Sequence, residues 1–480
     1  MESDFSSLAL SPELLAVVGE LGYVHPTPIQ RESIPVLLAG KDLVGQSKTG
    51  SGKTAAFALP ILQRLDLSNR SVQALVLCPT RELSTQVARE IRGLGRRHAG
   101  LGVVELVGGQ SARAQKDALG RGVHVAVGTP GRVLDLLQKR ALAPSVIATV
   151  VLDEADRMLD MGFGTEVEAI LHTLPQTRQT ALFSATFPDT IAEMSQKYQR
   201  AAVRVTIDEA AGSALEIREL KLASSPNEKF HALCWLLNEN PHESALIFCN
   251  FKATVVDLAR RFAKAGVSAD RLDGDLEQFH RDQVLARFRN QSLRLLFATD
   301  VAGRGIDVEG LDLVINYEVP QQPEIYVHRI GRTGRAGQKG VAISLTSDER
   351  DSRIDAVEAL TGRAIESLAM DPEIEAGSDA LLRSLAKSSR METILISGGR
   401  KDKIRPGDIL GALTGEAGGL QGDEVGKIEI QDRLSYVAVA KGVCANAVAQ
   451  LNKGRIKGKR FRATHVGGLI DRVREPVEAG

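Results

Sequence analysis

The chain lacks a net charge, paired cysteines and any long apolar run. Its 60 basic residues equal its 60 acidic residues, so the overall charge gives no sign of a polyanionic partner. Four cysteines stand far apart without a CxxC pair, which predicts reduced thiols rather than a disulfide framework or a metal site. No stretch reaches the roughly 20 apolar residues of a membrane span. Because the start, MESDFSSLAL, is acidic rather than basic, we expect no targeting leader and a cytoplasmic protein without a membrane partner.

The arrangement of apolar segments predicts three domains. Short apolar strands alternate with helical patterns from about residue 40 to 206, and the pattern repeats after a polar break near residues 208–213. This alternation predicts two α/β domains, each with a parallel sheet covered by helices. A βαββαβ order then predicts an RRM-like α+β domain, with its last strand at 459–463. We place the domains at 1–207, 214–369 and 391–467, with a linker or loosely docked helix at 370–390 and a tail at 468–480.

A glycine-rich segment in the first domain predicts a nucleotide site. It lies between a predicted strand at 42–44 and a predicted helix at 55–65, where backbone N–H groups at a helix N-terminus bind phosphates. Lys53 is expected to reach the β- and γ-phosphates and the Thr54 hydroxyl to bind Mg²⁺. The strict P-loop pattern has glycine where this chain has Ser47. The predicted ATP contacts are Ser47, Lys48, Thr49, Gly50, Ser51, Gly52, Lys53 and Thr54.

Acidic residues follow another predicted strand, at 148–152. Ligands gather at the carboxyl ends of such strands. Asp153 is therefore expected to hold Mg²⁺, directly or through water, and Glu154 to orient and deprotonate the attacking water.

Residues 153–156 spell DEAD, and with the P-loop they make the chain resemble the DEAD-box ATP-dependent RNA helicases. The resemblance implies that Gln30 binds the adenine edge and that Tyr23 stacks on the ring. It implies that Ser184 and Thr186 couple hydrolysis to strand separation. The family usually has Ala at Ser47, a small-for-small change. The RNA-backbone residues implied by the resemblance are Pro79, Thr80, Arg81, Gly109, Thr129, Gly131, Arg132 and Thr299.

Two further motifs, at 298–307 and 328–335, extend the resemblance to the second domain and imply that both α/β domains are RecA-like. They imply that Arg332 and Arg335 act as arginine fingers on the γ-phosphate. His328 would bridge to the motif of Ser184, and Gly305 and Asp307 would contact the nucleotide, Asp307 at the ribose. The spacing of His328, Arg332 and Arg335 would place them on one face of a helix, although the glycines at 331 and 334 argue against a helix through all three.

The resemblance divides the catalytic groups between two domains, which has a physical consequence. Since an arginine finger contributes about 10³–10⁵ in rate, we expect slow hydrolysis until the domains close. ATP and RNA must then raise each other's affinity by the same factor. A closed pair that bends one strand dislodges its complement, so the family's mode of action is short-duplex unwinding.

The third domain carries the excess of positive charge. Residues 391–466 hold 13 basic and eight acidic residues. Tyr436 and Phe461 are the aromatic residues on its predicted strands, so charge and loops are expected to contribute more to RNA binding than stacking. The domain resembles that of the DbpA group, bacterial DEAD-box helicases directed to 23S ribosomal RNA, which implies a role in large-subunit assembly. The predicted RNA contacts are Arg400, Lys401, Lys403, Lys453, Lys457, Lys459 and Arg460.

Three alternatives remain open at this stage. The same motifs would serve an ATP-gated RNA clamp that releases RNA without unwinding it. A DNA helicase or a generic P-loop ATPase is a further alternative, although we expect no DNA partner. Activation of the ATPase by RNA but not by DNA of the same sequence would exclude this alternative. The third domain could also dock proteins rather than RNA.

Overall fold

A computed structural model describes residues 4–47, 50–207, 217–300, 311–334, 340–348, 350–370, 377–386, 389–415 and 419–468. The predicted site residues Lys48, Thr49, Gly305, Asp307 and Arg335 lie outside the described residues, as do the polar break at 208–213 and most of the tail. Within the described part of the chain, no helix has the length and apolar character needed to cross a bilayer.

The first domain is built on a seven-stranded parallel sheet in the order β3-β4-β2-β5-β6-β1-β7. The buried strands read as continuous apolar runs because both faces are covered: Leu75 and Val76 of one strand enter different cores. The strands are β1 (Leu43–Gln46), β2 (Ala74–Leu77), β3 (Val103–Leu106), β4 (Val125–Gly128), β5 (Thr149–Asp153), β6 (Gln179–Ser184) and β7 (Val203–Thr206). The helices are α1 (Pro12–Glu20), α2 (Pro28–Leu38), α3 (Lys53–Arg64), α4 (Arg81–Leu94), α5 (Ala112–Gly120), α6 (Pro130–Gln138), α7 (Ala155–Asp160), α8 (Gly164–Thr173) and α9 (Asp189–Tyr198).

The second domain repeats this plan with a parallel sheet in the order β10-β11-β9-β12-β13-β8-β14. The two parallel sheets confirm the predicted fold class of tandem RecA-like domains. The strands are β8 (Ile217–Ala223), β9 (Ala245–Cys249), β10 (Ala269–Leu272), β11 (Leu295–Thr299), β12 (Leu313–Asn316), β13 (Gly340–Thr346) and β14 (Glu366–Leu368). The described helices are α10 (Lys229–Glu239), α11 (Lys252–Lys264), α12 (Gln278–Arg289), α13 (Pro323–Ile330), α14 (Ser352–Thr361) and α15 (Ser378–Ser384).

Helix α15 lies in the segment predicted as a linker or loosely docked helix, and it packs firmly on the second domain. It contacts α10, and Leu382 and Leu385 are buried in the core of the second domain. Of the two alternatives, a docked helix describes residues 377–386, because the buried Leu382 and Leu385 attach this part of the segment to the second domain.

The third domain has a four-stranded antiparallel sheet in the order β16-β17-β15-β18, which confirms the predicted RRM-like α+β arrangement. Its strands are β15 (Met391–Ile396), β16 (Val425–Ile430), β17 (Ser435–Ala440) and β18 (Ala463–His465), and its helices are α16 (Pro406–Thr414) and α17 (Cys444–Lys453). The last strand was predicted at 459–463, which is wrong. Lys459 instead pairs with Ile456 across a tight turn in which Lys457 has φ 51° and Gly458 has φ 78°.

The two faces of the third sheet have different partners. Ile394 and Val437 point to the helices and form the domain core. On the opposite face, Tyr436 has no exposed surface and packs with Ala286 of α12 and with Val466. The second domain therefore covers the face on which an RRM usually stacks bases, and Tyr436 is not open to RNA.

Polar contacts fix this docked arrangement within the unit formed by the second and third domains. The guanidinium of Arg289 donates to both carboxylate oxygens of Glu429 at 3.0 Å, and the two side chains are only 13% and 10% exposed. Beside this pair, the hydroxyls of Ser292 and Thr393 lie 2.5 Å apart. A two-pronged ion pair of this kind sets the orientation of the partners as well as holding them.

Candidate nucleotide and RNA sites

The predicted phosphate loop, residues 47–52, connects β1 to α3. Gly50 and Gly52 have φ values of 82° and 89°, which glycine adopts without strain. The Ser47 and Ser51 hydroxyls lie 2.8 Å apart. The Lys53 ammonium donates to the Ser47 carbonyl at 2.8 Å and is buried. Lys53 is therefore folded across the loop. Thr54 follows it, half-buried, in the first turn of α3.

Gln30, predicted to read the adenine edge, lies against this loop. Its Oε1 accepts from the Thr27 N–H at 3.0 Å, and its Nε2 donates to the Gly52 carbonyl at 3.1 Å. Tyr23 is half-buried, and its ring meets that of Phe5 edge-on with centroids 6.1 Å apart. The structure thus brings Gln30 to the loop, and Phe5 fixes the position of Tyr23.

Asp153 is the last residue of β5 and is buried. Burial raises the pKa of its carboxyl to about 7, against the opposing effect of the Lys53 ammonium. Its Oδ1 is buried and has no hydrogen-bond partner among the described residues. A buried carboxylate oxygen left without a donor suits a divalent cation, so Asp153 fits the predicted Mg²⁺ site.

Glu154 lies in a turn between β5 and α7. Its backbone has φ 54° and ψ 53°, a left-handed conformation that is rare for residues other than glycine. Arg157 Nη1 donates to its carboxylate at 2.5 Å, and the side chains are only 3% and 9% exposed. Arg157 was not predicted from the sequence. Its spacing three residues after Glu154 at a helix start is the signal that could have found it.

Asp156 joins the DEAD segment, residues 153–156, to the motif of Ser184 and Thr186. Its Oδ2 accepts from the N–H groups of Ala185 and Thr186 at 3.2 and 2.9 Å and from the Thr186 hydroxyl at 2.8 Å. The backbone N–H of Asp156 donates to the Ser184 hydroxyl at 3.3 Å. No role for Asp156 was predicted from the sequence. The bridge from His328 to this motif stays a prediction.

The strand order sets the nucleotide and RNA residues side by side. The adjacent strands β1, β6 and β5 lead into the phosphate loop, Ser184 and Asp153. The adjacent strands β2, β4 and β3 lead into the motifs of Arg81, Thr129 and Gly109. Because all these strands are parallel, both groups lie along one carboxyl edge of the sheet.

Two of the predicted RNA motifs begin helices. The Thr80 hydroxyl accepts from the Leu83 N–H at 3.2 Å and so caps α4, while Pro79 is buried beside it. Thr129 immediately precedes α6. The N-termini of both helices therefore lie at the proposed RNA edge, where their N–H groups favour phosphate.

Two arginines accompany these helix starts. Arg81 lies over Gly108, where an added Cβ would be 3.2 Å from its guanidinium; the adjoining Gly109 is exposed with φ 73°. Arg132 follows the exposed Gly131, and its Nη1 is buried without a hydrogen-bond partner among the described residues. An unpaired guanidinium nitrogen at this edge suits a phosphate oxygen.

In the second domain, Arg329 links three strand ends. It donates to both carboxylate oxygens of Asp300 at 2.6 and 2.7 Å, to Asn250 Oδ1 at 2.8 Å and to Asn316 Oδ1 at 3.1 Å. Thr299, a predicted RNA contact, ends β11 immediately before Asp300. Arg329 was not predicted as a functional residue, although it lies inside the motif at 328–335.

The same motif is only partly helical. Helix α13 ends at Ile330, so His328 lies in its last turn, half-buried. Arg332 follows Gly331 in the turn beyond the helix and is buried. A single helical face through both residues is therefore not formed, as the glycine indicated.

The third domain brings its two basic clusters together. Lys457 Nζ donates to the Lys403 carbonyl at 3.0 Å, and the Ser397 N–H donates to the Arg462 carbonyl at 2.9 Å. We call the resulting patch the basic surface; its exposed members are Arg400, Lys401, Lys403, Arg405, Lys453, Arg455, Lys457, Lys459 and Arg460. Asp432 lies 3.6 Å from Lys401 and Asp408 lies 3.9 Å from Lys457, so carboxylates offset part of the charge.

Three family models match the chain in order. The DEAD/DEAH box helicase family matches residues 27–194, the helicase conserved C-terminal domain residues 228–337, and the DbpA RNA binding domain residues 393–465. The ATP-dependent RNA helicase DbpA of Escherichia coli (strain K12) is 44% identical over 459 residues, 95% of this chain and 98% of that protein. The DbpA of Bacillus subtilis (strain 168) is 36% identical, over 96% of this chain and 98% of that protein. Saccharomyces cerevisiae Dbp5 bound to RNA and ADP BeF3 is similar with a TM-score of 0.70 and 31% identity, covering 80% of this chain and all of that one.

Tandem parallel-sheet domains with these motifs define an enzyme that couples ATP hydrolysis to RNA: a DEAD-box ATP-dependent RNA helicase. Such an enzyme is an RNA-dependent ATPase. The two relatives that match over nearly the whole chain are DbpA helicases, and the third domain matches the RNA binding domain of DbpA. Both findings narrow the class to one family. The chain belongs to the DbpA family of DEAD-box helicases.

Proposed function

We propose that this helicase unwinds short duplexes in 23S ribosomal RNA during assembly of the large ribosomal subunit, in the cytoplasm. The observation that carries the proposal is the exposed basic surface on a DbpA-type RNA-binding domain whose sheet face is covered. A motor that touches only sugar and phosphate cannot select one RNA. Selection then falls to the third domain.

In the proposed nucleotide site, Lys53 and the phosphate loop hold the phosphates while Gln30 and Tyr23 hold the adenine. Thr54 and Asp153 hold Mg²⁺, which neutralises phosphate charge when it is bound. Glu154 orients the attacking water and accepts its proton. The unpartnered Oδ1 of Asp153 supports this assignment, and so does the contact between Gln30 and Gly52.

For the RNA backbone, we propose contacts along the carboxyl edge of each motor sheet. In the first domain these come from Arg81, Arg132 and the N-termini of α4 and α6. The unpaired Nη1 of Arg132 supports this assignment. In the second domain Thr299 makes the contact, held in place by the bonds of Arg329 to the adjoining Asp300.

The basic surface binds a folded RNA element, such as a hairpin, through its backbone and loop. Base stacking on the sheet contributes little, because Tyr436 is fully buried and Phe461 is half-buried against Gly398. Since the second domain holds the third through Arg289 and Glu429, a bound hairpin would be held at a fixed distance from that motor domain. A duplex next to the hairpin is then the substrate.

ATPase measurements against a panel of RNAs test the proposal. We expect fragments of 23S ribosomal RNA to activate hydrolysis at much lower concentration than random RNA of equal length. Equal activation constants for all RNAs would contradict ribosomal targeting while leaving the RNA-dependent ATPase intact. DNA of the same sequence serves as a control and should not activate, because it lacks the 2′-OH.

Duplex-release kinetics separate a helicase from an ATP-gated clamp. With ATP, a labelled short strand annealed beside a ribosomal hairpin should dissociate far faster than without nucleotide. A clamp would bind the same RNA tightly with ATP and leave the duplex paired.

A further inference from the structure

Three metal-binding side chains meet in the third domain, at a place the helicase function does not use. Glu392 comes from β15, Cys444 begins α17 and His465 ends β18. Their ligand atoms all lie within 4.8 Å of one another. Among the described residues, this is the one such group of His, Cys, Asp and Glu side chains.

The fold fixes the three ligands from elements that are distant in the sequence. His465 pairs with Ile394 in the antiparallel register of β15 and β18. Glu392 lies two residues before Ile394, so it shares the same face of the sheet. Helix α17 packs on that face, which places Cys444 in the core with Ile394. Backbone pairing thus holds two ligands, and core packing holds the third.

The cluster has one closed side and one open side. Cys444 is 3% exposed, Glu392 is half-buried and His465 is exposed. A metal ion could therefore enter from solvent and keep a water ligand on the open side. Glu392 is also the hydrogen-bond partner of the Cys444 thiol, so two of the three ligands already contact each other.

We propose that Glu392, Cys444 and His465 form a binding site for a divalent transition metal of the zinc type, with water as the fourth ligand. Thiolate, imidazole and carboxylate are the donors that Zn²⁺ takes, at about 2.0–2.3 Å. Mg²⁺ and Ca²⁺ prefer oxygen donors alone. These bond lengths place the donor atoms around a tetrahedral ion roughly 3.5 Å apart. The ligand atoms lie within 4.8 Å of one another, so side-chain rotations that move them by about 1 Å complete the site.

A metal bound here would join two strands and a helix at one edge of the sheet. Val466 follows His465 directly and packs with Tyr436 and Ala286 where the second domain covers the third. The backbone N–H of Val466 donates to the Thr393 carbonyl at 2.8 Å. A metal at His465 would therefore stiffen the strand end that takes part in docking of the third domain on the second.

Cobalt titration of the full-length protein without nucleotide tests the site. Co²⁺ replaces Zn²⁺ in such sites, and a thiolate ligand gives a charge-transfer absorption that oxygen sites lack. We expect this absorption to saturate at one equivalent and to disappear in Cys444→Ser. His465→Ala and Glu392→Gln should weaken binding by about tenfold or more. Cys78→Ser and Cys234→Ser, which change buried thiols elsewhere, should leave the absorption unchanged.

Thermal unfolding provides the second readout. Zn²⁺ should raise the unfolding midpoint of the unaltered protein in proportion to the logarithm of its concentration. Zn²⁺ should not raise the unfolding midpoint of His465→Ala. Because His465 is exposed, this variant should still fold, so the lost response would report lost metal binding. Absence of the charge-transfer absorption, its survival in Cys444→Ser, or an equal Zn²⁺ response in His465→Ala would each overturn the proposal.

Discussion

The carboxylates of the DEAD segment, residues 153–156, differ in the contacts that surround them. Asp153 keeps an oxygen without a hydrogen-bond partner in the described part of the chain, Glu154 is paired with Arg157, and Asp156 is bonded to Thr186. Three carboxylates within four residues thus have three different environments. These environments match the proposed division of labour into metal ligand, general base and link to the coupling motif.

The general-base role of Glu154 is tested by Glu154→Gln. The amide keeps the size of the side chain and cannot accept a proton, so ATP binding should persist while hydrolysis falls by about 10²–10⁴. Nucleotide titration and single-turnover hydrolysis measure the two steps separately. Glu193→Gln, an exposed change on α9, is the matched control. Turnover near that of the control would remove Glu154 from this role.

A pH dependence tests Asp153 as the metal ligand. Mg²⁺ binds the ionised carboxylate, and burial raises the pKa of this group from 3.8 to about 7. Mg²⁺-dependent nucleotide affinity should therefore rise about tenfold per pH unit up to pH 7 and level off above it. The same shift makes the ligand-free fold less stable as the pH rises from 3.8 toward 7.

Asp153→Asn supplies the comparison for this measurement. ATP itself also titrates, equally for both proteins, so the difference between their pH profiles isolates Asp153. Parallel profiles for the two proteins would show that another group sets the dependence.

Short motifs made some residues predictable and left others hidden. Lys53 and Glu154 could be predicted because each stands at a fixed spacing in a strand–loop–helix pattern, whereas Gln30 was predicted only from the family resemblance. Arg329 could not, because its partners Asp300 and Asn316 come from different strands. A side chain whose role depends on such partners leaves no local pattern in one sequence.

At the scale of elements, strands were predicted well where both faces are buried. The strand predicted at 148–152 is β5, Thr149–Asp153, in which every residue is buried. The last strand failed because the alternation at 459–463 resembles a strand, while Gly458 and Lys457 form a turn before it. Docking of Tyr436 could not be predicted either, since one sequence does not say which side of a sheet another domain covers.

The ion pair between Arg289 of α12 and Glu429 of β16 allows a test of domain docking by charge exchange. Arg289→Glu or Glu429→Arg alone places like charges together in a partly buried site. Each should speed hydrogen exchange in α12 and β17, while the double exchange should restore protection with a coupling of about 1 kcal/mol or more. If both single variants keep full protection, the pair does not hold the two domains together.

At the scale of the whole molecule, the proposed ATPase depends on residues from two motor domains. Arg335→Ala should lower RNA-stimulated kcat by about 10³-fold or more while the first domain still binds nucleotide. Arg335→Lys should restore little, because an ammonium lacks the planar fork of a guanidinium. Arg363→Ala, an exposed change in the second domain, is the control. Full activity of the lysine variant would mean that positive charge alone suffices.

In the proposed function, the basic surface selects the RNA and the motor does not. Changing Lys457, Lys459 and Arg460 together to alanine leaves every motor motif in place. The matched control changes Arg390, Lys427 and Lys441, which are exposed basic residues outside the basic surface. The variant with alanine at positions 457, 459 and 460 releases fewer counterions when it binds RNA. Its RNA binding should therefore be weaker and less dependent on salt than that of the control.

The most direct measurement is the RNA concentration for half-maximal ATPase activation, taken for a 23S ribosomal fragment and for random RNA of equal length. The unaltered protein and the control variant should prefer the ribosomal fragment. The basic-surface variant should lose this preference and keep its kcat at saturating RNA. If it discriminates between the two RNAs as well as the unaltered protein does, the basic surface does not select RNA and the account is contradicted.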